Sequence, residues 1–181
     1  ATNTLPYQFS IDPLLPCGAD LDFQIVMTDA VSTYSSDFSL NASVVLPRAD
    51  VISNTVEGGA AGWSTGGTQN TWAITTLQAH SPTHSWTDSP AGVYANNTNS
   101  FLRTPAFSLS GKRNVKVSGW YQYDLESGYD YVYLEYSLNG GSTWNTAAPL
   151  AYFNGIQDTW EFLEVDASML DNQANVALRY R

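Results

Sequence analysis

The chain has 181 residues, with 7 Lys and Arg against 17 Asp and Glu, giving a net charge of −10. Such a surface repels phosphate backbones and anionic membranes and attracts cations, which excludes nucleic acid as a partner. The single cysteine, Cys17, permits no intrachain disulfide and no soft-metal cluster, so a bound metal is expected to be a hard one held by oxygens.

No apolar run reaches membrane-spanning length, and no basic start precedes an apolar stretch, so the sequence predicts neither a membrane span nor an intact export signal. Aromatic residues make up 13% and charged residues only 13%, with Asn, Ser, Thr and Gly in the polar positions. That balance fits β-sheet surfaces joined by turns, in a protein of extracellular type.

In chain order, "PYQFSI" reads as a first strand. Leu21, Phe23, Ile25 and Met27 then alternate with Asp20, Asp22 and Gln24, which predicts a strand with one apolar face. Phe38 and Leu40 predict its partner after a turn near residues 29 to 36. The stretch "LPRADVISNTVEGGAAGWSTGGTQN" carries Pro47 and five glycines, reads as loop, and places a boundary near residue 50 between segments 1–50 and 51–181.

Beyond it, Trp72 and Ile74 begin a strand, and "SFLRTPAFSLSG" supplies another. Val115, Val117, Gly119, Tyr121 and Tyr123 share one face of "NVKVSGWYQYD". Val132, Leu134, Tyr136 and Leu138 mark the inward face of the next strand, which is expected to turn at Asn139-Gly140-Gly141 and return as a tight hairpin through Trp144. "TWEFLEVDAS" and "NVALRYR" give two more strands, with a helical turn expected in "MLDNQ". The sum is an all-β, antiparallel sandwich of the jelly-roll kind.

"HSPTHSWTDSPAGVYANNTNSFLRTPAFSLSG", "YDLESGYDYVYLEYSLNGGSTW" and "DTWEFLEVDAS" together resemble the MAM-like jelly-roll modules at the C-terminal side of secreted bacterial peptidases. The resemblance covers roughly residues 56 to 181. The stretch "ATNTLPYQFSIDPLLPCGADLDFQIVMT" resembles the closing strands of the immunoglobulin-like module that precedes such jelly rolls. It implies a secreted or cell-surface, non-catalytic accessory module that binds or supports. It also implies a last strand rich in Gly, Trp, Tyr and paired Asp after "VALRYR", which this sequence does not contain. The matching expectation is an open sheet that another chain, of a parent protein or an identical subunit, completes by strand addition, as in an extracellular filament or surface assembly.

Four groups of residues are candidates for chemistry. Asp124, Glu126 and Asp130 flank the bend at Gly128, and Asp88 lies in a loop that the resemblance places near them; these acids suit calcium, which takes six to eight oxygens. Glu57 joins them because MAM-like sandwiches carry a cation near their first strand. Trp120, Tyr131 and Tyr133 are expected to form an exposed aromatic patch on adjacent strands that stacks on glycans, the signature of a carbohydrate-binding module.

Ser137, Asn139, Gly141, Thr143 and Trp144 match the S-x-D-x-G-x-T-W spacing of the Asp-box, with Asn in the Asp position, and that resemblance implies a structural turn. His80, Ser81, His84, Ser85 and Asp88 hold the ingredients of a nucleophilic triad. No nucleophile elbow surrounds either serine, and neighbours on a strand point to opposite faces, so no catalysis is expected.

Overall fold

The computed structural model describes residues 19–28, 30–41, 48–80 and 82–181. The expected strand at "PYQFSI", Cys17 and Ser81 lie outside the described residues. The chain divides into two compact units, Ala1–Ala49 and Asp50–Arg181.

In the first unit, β1 (Asp20–Thr28) and β2 (Thr33–Asn41) form an antiparallel hairpin with Leu21 opposite Leu40, Phe23 opposite Phe38 and Met27 opposite Tyr34. The period of two puts these six side chains on one face, where the rings of Phe23 and Phe38 stack at 5.2 Å. On the other face Gln24 Nε2 donates to Asp37 Oδ1 at 2.9 Å. The turn is shorter than the sequence suggests: Ser35 and Ser36 look like turn residues but pair with Val26 and Ile25.

The second unit is built from β3 (Ser64–Thr68), β4 (Ala73–Thr75), β5 (Ser85–Thr87), β6 (Asn99–Arg103), β7 (Lys116–Asp124), β8 (Val132–Ser137), β9 (Ala151–Phe153), β10 (Ile156–Asp166) and β11 (Ala177–Tyr180). Every pairing is antiparallel. One sheet has five strands in the order β3-β6-β11-β8-β9, while β7 with β10 and β4 with β5 form separate pairs. The protein is therefore all-β and sandwich-like, as its composition and alternation require.

The core lies between the five-stranded sheet and the β7–β10 pair. Leu134, Leu170 and Val176 are wholly buried, and Val117, Tyr121 and Tyr123 of β7 and Leu163 of β10 pack against them. Each such aliphatic side chain contributes roughly 1.5–3 kcal/mol by leaving water. The inward face read for β7 is thus the observed one. For β8 the inward face stops early, since the strand ends at Ser137 and Leu138 is exposed.

Two further expectations are corrected. The glycine-rich passage read as loop contains β3, which pairs with β6 along its whole length. Its glycines hide the strand signal for a physical reason: a Cβ on Gly66 would stand 2.8 Å from the Phe101 ring, and one on Gly67 2.3 Å from the Asn99 carbonyl oxygen. After β8 the chain turns at Asn139-Gly140-Gly141 as expected, but it does not return as a tight ladder. A single bridge joins Tyr136 to Asn145, and ladder pairing resumes only where Ala151–Phe153 meets Val132–Leu134. Asn145 is held there by its own bonds: its side chain donates to the Tyr136 hydroxyl and accepts from Ala148 N. The helical turn expected in "MLDNQ" is a 3-10 turn, Ser168–Leu170, begun one residue earlier where Asp166 Oδ1 accepts from Ser168 N at 3.2 Å.

Candidate functional site

The edge of β7 that faces away from β10 defines the site. Ala167 N donates to Val115 O and Leu125 N donates to Gly155 O, each at 2.9 Å, so the odd-numbered residues of β7 occupy the hydrogen-bonded positions opposite β10. In an antiparallel ladder the alternate residues then turn their N–H and C=O outward. These are Lys116, Ser118, Trp120, Gln122 and Asp124, and among the described residues their backbone groups meet no backbone partner. Among the described residues β5 is likewise paired on one side only, with β4.

The two free edges border one groove of about 1680 Å³. β5 and the length of β7 line its sides, no residue of β4 reaches it, and Leu102, Val132, Leu178 and Tyr180 of the five-stranded sheet form its floor. The Tyr121 and Tyr180 hydroxyls meet there at 2.8 Å, and burial pushes the Tyr180 phenol well above its ordinary range.

Three side-chain features shape the groove. Trp86, on the β5 wall, holds its indole N–H buried and, among the described residues, without a partner, at a cost of roughly 1–3 kcal/mol. His80 stacks on Trp120 at 3.7 Å and meets Trp160 edge-on at 6.3 Å. Tyr94 closes the end beside Asp124: its hydroxyl donates to Asp130 Oδ2 at 2.7 Å and accepts from Glu126 N at 3.2 Å. Burial, with the Asp130 carboxylate next, pushes that phenol's pKa above its ordinary value.

Asp88, Asp124, Glu126 and Asp130, singled out from the sequence, all line this groove, joined by Asp50 and Asp158, which the sequence did not mark. No Lys or Arg lines it. Among the described residues no three His, Cys, Asp or Glu side chains gather closely enough to hold a metal ion. Asp88 Oδ1 accepts from the Ser89 hydroxyl at 2.8 Å, while the Asp130 carboxylate is engaged by Tyr94.

Glu57 stands apart from these acids. Its Oε1 accepts from the amides of Thr83 and His84 at 3.1 and 2.9 Å, and its Oε2 meets Thr83 Oγ1 and His84 Nδ1 at 2.7 and 2.8 Å. The Thr83 hydroxyl first, then the His84 ring and the two amides, hold its carboxyl down to about 2 from 4.5, against partial burial that raises it. His84 is therefore committed to Glu57, and the Ser85 hydroxyl donates to Gln78 O at 2.6 Å. The triad ingredients do not assemble among the described residues.

The expected aromatic patch does not form as one surface. Trp120 lies on β7, whereas Tyr133 lies on β8 of the other sheet. Trp120 packs with His80 and Phe162, while Tyr131 stacks on Tyr133 at 5.8 Å and tilts against the exposed Tyr152 at 6.2 Å. Period-two reading set the faces correctly but could not tell which strands share a sheet.

At the turn after β8, Ser137 Oγ accepts from Asn139 N and Gly141 N at 3.2 and 2.8 Å and donates to Asn139 Oδ1 at 2.8 Å. Thr143 N donates to Asn139 Oδ1 at 2.9 Å, and Trp144 lies under the Arg179 guanidinium at 4.4 Å. One group has a role that the sequence reading, which considers Glu135 only as a carboxylate on the face opposite Asp130, does not find. Glu135, wholly buried on β8, accepts from Arg179 Nε at 2.7 Å and from Arg181 Nε and Nη2 at 3.0 and 2.6 Å. The signal available was two arginines two residues apart on a strand, in a chain with only 7 basic residues.

No protein-family model matches this sequence, and searches of curated proteins and of solved structures found no match either.

Proposed function

We propose that this chain is a non-catalytic, extracellular β-sandwich module of jelly-roll type whose work is binding or structural support, exercised by taking an extended polypeptide strand into the groove between β5 and β7. The observation that carries this reading is the pair of unpaired strand edges bordering one groove over an apolar floor. Backbone groups on a free edge form hydrogen bonds with any added strand, and alternate side chains of that strand reach the floor. The engagement of His84 by Glu57 and of Ser85 by Gln78 supports the absence of a nucleophilic role. The low charge content and the acidic, Asn-, Ser- and Thr-rich composition support an extracellular setting.

The test is a Ser118→Pro variant, which removes an N–H from the free edge of β7 and leaves the ladder to β10 intact. Tryptophan fluorescence is used to titrate both proteins with short peptides of high strand propensity. Binding by the parent chain and its loss in the folded variant support the reading. Equal binding by both, or by neither, refutes it.

A second reading, glycan binding, is favoured by one observation: Tyr152 is 65% exposed beside the Tyr131–Tyr133 stack, with Arg181 5.2 Å from the Tyr133 ring. Exposed rings of this kind stack on sugar faces. Glycan-array signal that disappears in Tyr152→Ala supports that reading, and unchanged signal removes it.

A further inference from the structure

The groove has a chemical polarity. At the end where β7 finishes, Asp124, Glu126, Asp130 and Asp158 stand on its rim, and no Lys or Arg lines it anywhere. Lys116, at the opposite end of β7, is paired with Glu164 at 2.9 Å, so β10 rather than the groove holds its charge. The field inside therefore attracts positive charge, most strongly at the C-terminal end of β7.

The backbone sets the occupant's form. Outward N–H and C=O groups at Ser118, Trp120, Gln122 and Asp124 recur at every second residue, the repeat that an extended chain matches. Every strand pairing in this unit is antiparallel, and antiparallel ladders are slightly the more stable per residue. The floor is apolar at Leu102, Val132 and Leu178, so it accepts aliphatic side chains at alternate positions.

We infer that the groove is specific for an extended peptide that runs antiparallel to β7, carries aliphatic residues at alternate positions, and bears Lys or Arg at its N-terminal end. An antiparallel partner begins where β7 ends, which puts those cations beside Asp124 and Glu126. This inference rests on the strand-acceptor reading above and adds the chemistry and direction of the occupant.

The test uses the whole chain and three synthetic octapeptides. In the first, two Lys precede a Val-Thr alternation; in the second, two Glu replace the Lys; in the third, the two Lys follow the alternation. Binding is read by tryptophan fluorescence at low and high salt, and amide hydrogen exchange is followed at Ser118, Trp120, Gln122 and Asp124. The expected result is that the first peptide binds about tenfold or more tightly than either of the others, as charge complementarity at a rim allows. Salt weakens it, and the four amides slow in exchange.

In a folded Asp124→Asn, Glu126→Gln double variant the preference for the first peptide over the second falls to near unity. If the three peptides bind alike while the four amides slow, the groove accepts strands but the cationic chemistry is wrong, and this inference falls alone. If a second copy of the chain occupies the edge, seen as a dimer in light scattering with the amides slowed before any peptide is added, this inference also falls alone. If no peptide slows the amides of a monomer, the inference and the reading beneath it fall together.

Discussion

Glu135 is the group whose removal the structure prices most clearly. Its carboxylate is wholly buried and receives hydrogen bonds from Arg179 Nε and from Arg181 Nε and Nη2. A hydrogen bond to a charged group contributes roughly 1.5–3 kcal/mol, while burying the carboxylate costs several kcal/mol, so the net value is well below the sum of the bonds. Breaking a buried pair by deleting one partner costs about 3–5 kcal/mol because the partner's charge is stranded. Here the Arg179 and Arg181 side chains are 14% and 29% exposed, which lets them recover some hydration.

Glu135→Ala is therefore expected to cost about 3 kcal/mol, the low end of that range. Glu135→Gln, which keeps one acceptor oxygen but turns an NH2 toward a guanidinium, is expected to cost about 2 kcal/mol. A triple variant, Glu135→Leu with Arg179→Met and Arg181→Met, removes all three charges together and is expected to fall within about 1 kcal/mol of the parent. Urea unfolding followed by tryptophan fluorescence measures all three, compared at a common slope. A loss below about 1 kcal/mol in Glu135→Ala, or a triple variant as unstable as the single, refutes the reasoning.

Three other outcomes follow from the same physics. Gly67 sits at φ +97 with no room for a Cβ beside Asn99 O, so Gly67→Ala is expected to lose about 2–4 kcal/mol by the same urea assay, and a neutral result contradicts the placement of β3. Ser137 is 2% exposed and its hydroxyl serves two amides, so Ser137→Ala leaves both short of an acceptor and is expected to cost about 2 kcal/mol in thermal or urea unfolding. The folded carboxyl of Glu57 titrates at about 2 against an ordinary 4.5. Because it is lowered, its contribution is complete above about 4.5 and is lost as pH falls toward 2. The stability difference between the parent and Glu57→Gln should accordingly be constant above pH 5 and shrink on acidification, with the carboxyl carbon titration followed by NMR.

Much of the fold is legible in the sequence because alternation reports which side of a strand is dry. Val117, Tyr121 and Tyr123 on β7 and Leu134 on β8 are core residues for the reason their spacing suggests. β3 was hidden because a strand whose residues must be glycine, to pass under Phe101 and against Asn99, loses the side chains that announce a strand. The groove was only half legible. Alternation on β7 marks the faces, but which strands lie side by side depends on pairings between residues far apart in the chain, so the sequence does not tell that Trp120 and Tyr133 stand on different sheets. The acidic rim is visible as composition around Gly128, whereas nothing in the three residues of β5 tells that they line the same groove.

Residue-resolved hydrogen exchange on β7 tests the central claim most directly. In the monomeric chain, the amides of Val117, Gly119, Tyr121 and Tyr123, which face β10, should be protected to the level of global unfolding. Those of Ser118, Trp120, Gln122 and Asp124 should exchange at nearly the rate of an open strand edge, and should slow when a strand-forming peptide is added. Equal protection on both edges of the monomer, with no change on adding peptide, would contradict the account.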